Sequence, residues 1–170
     1  EPFSAIVEAF GTHSVVALSA GASHEDARGV DFIVSLIRSS RFVTVVNDLV
    51  VEGANARFQD VMDRYVNGAA VSDTEIRHVW DDTTQQQVPG PIWTGEVPLI
   101  YRTVREINAS LPRERRLRIL LGDPPISWST VQTSMDFQQW LAQRDSFPVE
   151  LLRREVLAQN RRALVLFGTG

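Results

Sequence analysis

A chain of 170 residues and 19.0 kDa has the size of one ordinary domain, and such a domain buries roughly two thirds of its unfolded surface. All 17 positive charges are arginine and stand against 21 Asp and Glu, so the net charge of -4 supplies no basic field for nucleic acid, and no apolar run approaches the roughly 18 residues of a membrane span. Lysine and cysteine are absent, which excludes Schiff-base chemistry, a P-loop lysine, thiol catalysis, disulfides and thiolate-bound metal.

Phe3, Ile6, Val7 and Phe10 recur at helical spacing and Gly11 follows as a stop, which predicts a short first helix. Ser14–Leu18 is a compact β-branched run that reads as a first strand buried on both faces. Val30, Ile33, Val34 and Ile37 then predict a helix from Glu25 to about Ser39, with Glu25 and Asp26 at its positive end. Leu49–Glu52 reads as the second strand, ending in a carboxylate before Gly53. Phe58, Val61, Met62, Tyr65 and Val66 form one helical stripe, and Ser72 with Glu75 is the signature of a capping box opening another short helix.

Asp81 to Gly95, with its threonine and glutamine runs, prolines and glycines, reads as a loop. A helix from about Glu96 to Ser110 follows, Pro98 being tolerable only in the first turn. The basic cluster Arg113 to Arg118 reads as a solvated turn, since Glu106 and Glu114 lie alongside it. Arg118–Leu121 is the third strand, closing on Gly122-Asp123-Pro124-Pro125. Helices near Asp136 to Gln143 and Pro148 to Asn160 precede a fourth strand, Ala163–Phe167. Continuous apolar strands alternating with helices predict an α/β fold, a mostly parallel sheet of about four or more strands flanked by helices. It is read as a single domain over 1–170, with a fragment of a larger domain as the other reading because the sequence stops after a strand. A first residue other than Met, with no signal-like stretch, reads as a trimmed or a processed mature chain; the compartment stays open, an exported or periplasmic mature chain being the favoured reading.

Ligands of open parallel sheets bind beyond the carboxyl ends of the strands. That rule selects Ser19, Ser23 and His24 after strand one, Glu52 and Asn55 after strand two, and Asp123 after strand three. Carboxylates, an imidazole and hydroxyls on one cleft suit proton transfer in a hydrolysis. Trp93, in the Pro-Ile-Trp-Thr loop, is a candidate pocket wall, whereas His13 and His78 read as surface or interface residues. Ala17-Leu18-Ser19-Ala20-Gly21 is similar to a nucleophile elbow with its first glycine changed, which keeps open a serine hydrolase using Ser19.

The strand-one turn before its helix, Val50-Val51-Glu52-Gly53-Ala54-Asn55-Ala56-Arg57-Phe58-Gln59-Asp60, Leu120-Leu121-Gly122-Asp123 and the closing Val165-Leu166-Phe167-Gly168 resemble the erythromycin-esterase-like and ChaN-like (haem-uptake, Tiki-type) superfamily. The resemblance implies a strand-end pocket of Glu and His residues, used by different members for ester hydrolysis, metal-dependent proteolysis or haem binding. It carries Glu52 over as a family carboxylate, and Asp123 with it. The family turn Gly-Glu-x-x-His corresponds here to Ser19, Ala20 and Ser23, with His24 one place later. The leading expectation is a hydrolase of esters or lactones with Glu52 as general base, His24 assisting proton transfer and Asp123 orienting one of them, and Ser19, Ser23, Asn55 and Trp93 around the small-molecule substrate. The competing expectation, favoured by the missing strand-one acid, is a non-catalytic protein binding haem or a divalent metal, with a homodimer among its forms. No particular metal ligand set is assigned.

Overall fold

The computed structural model describes residues 2–19, 27–86 and 97–168. Four strands, β1 (Val15–Ser19), β2 (Asp48–Asn55), β3 (Arg118–Asp123) and β4 (Ala163–Phe167), form one sheet in the order β1-β4-β2-β3. Every pairing is parallel. Among the described residues the helices are α1 (Pro2–Ala9), α2 (Ala27–Arg38), α3 (Ser40–Val45), α4 (Gln59–Val66), α5 (Asp73–Asp81), α6 (Leu99–Ser110), α7 (Ser134–Leu141) and α8 (Ser146–Glu155). The chain is therefore of the α/β class.

The strand order decides which helices cover which face. From β1 to β2 to β3 the chain moves in one direction across the sheet, and from β3 to β4 it returns. Parallel crossovers are right-handed, so a return puts its helices on the opposite face. The core divides accordingly. Leu49, Val51, Ile119, Leu121, Leu164 and Leu166 face a cluster containing Ile33 and Ile37 of α2, Met62 of α4, Val79 of α5 and Val104 of α6. The alternate residues Val50, Leu120 and Val165 face Leu151 of α8 and Val156.

Two sequence expectations change at this level. Residues Val15, Val16 and Leu18 are only half-buried and Ala17 is exposed, because β1 is an edge strand. Residues 40–45, β-branched and assigned to no element from sequence, form α3, pinned by the fully buried Phe42. The α5 start is as read, with Ser72 Oγ accepting from the Glu75 N–H at 3.2 Å. The Glu75 carboxylate, however, pairs with Arg64 of α4.

β2 and β3 both run past the residues where their apolar runs end. Between the paired positions Val51/Leu121 and Asn55/Asp123, β2 takes four steps while β3 takes two, so two extra residues bulge out of β2 around Gly53. Gly122 faces this irregularity. A Cβ there would lie 2.8 Å from the Val51 carbonyl oxygen and 2.9 Å from Phe167 Cζ, closer than packed atoms approach. The position has room only for glycine.

Candidate functional site

Adjacent strands whose connections leave toward opposite faces open a crevice between them, and this is where open α/β sheets hold ligands. Here β2 connects onward to α4–α6 on one face and β3 to α8 on the other. The crevice therefore falls between the carboxyl ends of β2 and β3, where Glu52, Asn55 and Asp123 stand. The carboxyl end of β4 adjoins β2 on its other side.

Glu52 follows Val51 and points to the α8 face. Its Oε2 accepts from the Gly168 N–H at 2.6 Å, and its Oε1 lies 3.7 Å from Nη2 of Arg144, in the turn joining α7 to α8. The side chain remains 23% exposed. One oxygen is thus fixed by the backbone after β4 while the other lies beside a cation.

Asp123 points to the opposite face and is 3% exposed. Both of its oxygens are gripped by Thr84, which donates its backbone N–H to Oδ2 at 2.8 Å and its hydroxyl to Oδ1. Burial pushes the Asp123 carboxyl up to about 6, the Glu52 charge adds to the rise, and the Thr84 hydrogen bonds and Arg144 oppose it. The segment that supplies Thr84 is a buried loop rather than a solvated one. Thr83, Thr84 and Gln86 are all nearly without exposure, and Gln85 lies against the β2 bulge, 3.7 Å from where a Cβ on Gly53 would be.

Asn55 is placed at the crevice but its side chain is committed to the fold. Its Nδ2 donates to the carbonyls of Asp82 at 2.6 Å and Ile126 at 2.9 Å, and its Oδ1 accepts from the Arg57 N–H. Those bonds join β2 to the loops after α5 and β3. Ser19 ends β1 opposite Phe167 and is exposed, one strand removed from Glu52. Ser23, His24 and Trp93 lie outside the described residues, so the imidazole contribution and the haem alternative that depends on it do too. His13 precedes β1 at the other end of the sheet, bonded to Thr12 at 2.8 Å. His78 pairs with Asp82 at 2.7 Å and stacks on Phe58 with ring centroids 5.4 Å apart.

Thr84 and Arg144 were not found from sequence. Neither ends a strand nor belongs to a motif, and the only signal was a polar loop long enough to fold back over the sheet. Among the described residues, no group of three or more His, Asp or Glu gathers as a metal site, and no helix is long and apolar enough to cross a membrane. Comparison with protein-family models, with curated proteins and with solved structures finds no match for this chain.

Proposed function

We propose that the carboxyl end of the sheet hydrolyses an ester or lactone, with Glu52 as general base. The observation that carries this reading is the state of the Glu52 carboxylate at the end of β2, with Oε2 held by the Gly168 N–H and the side chain still partly exposed beside Arg144. A base must be positioned and reachable together. Oε1 takes a proton from water as the water oxygen attacks the carbonyl carbon. The tetrahedral intermediate then collapses, the C–O bond breaks, and the leaving alkoxide takes the proton back from Glu52.

Asp123 is closed off from substrate by Thr84 and works behind the reacting groups, where its charge sets the field at the crevice. The esterase-like resemblance of the strand-end motifs supports the same chemistry, and His24 enters as an expected proton-transfer partner. Turnover of p-nitrophenyl esters and lactones by the purified chain and by Glu52→Gln tests the reading. Loss of a positioned base lowers the rate about 10² to 10⁴-fold. Unchanged turnover in a folded Glu52→Gln chain overturns it.

A further inference from the structure

Arg144 sits 3.7 Å from Glu52 Oε1, too far for a hydrogen bond, and its guanidinium donates no hydrogen bond among the described residues. Its side chain is 39% exposed. At the amino end of the same sheet, two arginines close on one carboxylate. Arg161 holds Asp48 through Nε at 2.8 Å and Nη2 at 2.7 Å, and Arg118 holds the same carboxylate from the other side. Arg144 instead stands beside the base with no hydrogen bond from its guanidinium among the described residues and part of it in water, at the carboxyl end of the sheet.

Five N–H donors in a rigid plane match the paired oxygens of a carboxylate or phosphoryl group. We propose that Arg144 recognises an anionic group on the substrate, a carboxylate or phosphoryl group adjoining the ester bond that Glu52-activated water attacks. The proposal rests on the hydrolytic reading for the bond that is cleaved. The geometry of Arg144 supplies the substrate class. An anion held by Arg144 lies beside the reactive oxygen of Glu52, so binding and positioning come from one contact.

The test compares p-nitrophenyl butyrate with mono-p-nitrophenyl glutarate for the wild type, Arg144→Gln and Arg144→Lys, alongside calorimetric titration with glutarate and with inorganic phosphate. The expected result is a wild-type preference for the anionic ester. Its kcat/KM relative to the neutral ester falls about tenfold or more in Arg144→Gln, through KM, and Arg144→Lys recovers part of that ratio. The stronger of the two calorimetric heats identifies the oxyanion. Equal losses on both esters, carried by kcat, assign Arg144 to the tetrahedral oxyanion and overturn the proposal, as does a wild type without preference. If neither ester is turned over, the hydrolytic reading fails by itself. Calorimetry then decides: binding weakened tenfold in Arg144→Gln sustains anion recognition, and absence of binding at millimolar glutarate and phosphate overturns it.

Discussion

Removing water from Asp123 raises its carboxyl from an ordinary 3.8 to about 6, against the pull of two Thr84 donors and of Arg144. The folded chain thus keeps this proton up to about pH 6, while the unfolded chain releases it near the ordinary value. Between those values the native state binds more protons, so stability falls as pH rises across the window, by about 3 kcal/mol from this group, and falls no further above it. Asp123→Asn can put its carbonyl on the Thr84 N–H and its amide on the Thr84 hydroxyl, imitating the neutral acid. Urea unfolding at pH 4, 5, 6 and 7 is expected to show a flatter profile for Asp123→Asn than for the wild type. A difference between the two that does not change with pH would mean that Asp123 is ionised throughout. Glu52 and Asp123 were legible in the sequence because each closes an apolar run, and strand ends are where such sheets work. Arg144 and Thr84 were not, because a turn after a short helix and a polar loop acquire their places only when the two faces of the sheet are packed. Asn55 shows the converse: its position was legible, but its three hydrogen bonds, to partners far apart in sequence, were not.

A parallel sheet leaves open hydrogen-bonding groups along its outer strands, and β3 is an outer strand. Gln59, the first residue of α4, satisfies them as a neighbouring strand would: its Nε2 donates to the Ile119 carbonyl at 2.8 Å, and its Oε1 accepts from the Leu121 N–H at 2.9 Å. One side chain therefore ties the helix after β2 to the far edge of β3. Gln59→Ala frees both backbone groups. The expected outcome is a loss of about 1–3 kcal/mol, with native-state hydrogen exchange of the Leu121 amide accelerated more than that of Leu49 in the sheet interior. Equal exchange at the two amides in the variant would show that Gln59 contributes only through helix packing. Elements with a single clean period were readable, and β4 occupies the residues expected. β2 was read as ending at Glu52 because Gly53 resembles a stop, whereas the bulge carries the strand on to Asn55. α3 escaped because its β-branched residues favour strand locally, and its helix depends on burying Phe42 in the tertiary core.

The two ends of the sheet carry opposite kinds of charge arrangement, and on the proposed hydrolytic reading this separates stability from chemistry. At the amino end Asp48, the first residue of β2, is fully buried and receives hydrogen bonds from Arg118 at the start of β3 and from Arg161 ahead of β4. Arg118 also reaches the carbonyl and the carboxylate of Glu155 at the end of α8. One carboxylate thus closes three of the four strands and a helix, with its pairings saturated. At the carboxyl end Glu52 and Arg144 are left unclosed. Asp48 is fully buried while Arg118 and Arg161 keep 33% and 29% of their side chains exposed, so Asp48→Asn, which weakens charge-assisted bonds to partly solvated partners, is expected to cost about 1–3 kcal/mol of stability. Glu52 is four residues farther along β2, roughly 13 Å away, so the turnover of each folded Asp48→Asn molecule should equal that of the wild type. Glu52→Gln should do the reverse, losing turnover with little change in unfolding midpoint. Urea unfolding and ester turnover, measured on both variants below the transition, read the two effects separately. A loss of turnover in folded Asp48→Asn comparable to that in Glu52→Gln would show that the ends are coupled through β2, and that the amino-end cluster shapes the site as well as holding the sheet.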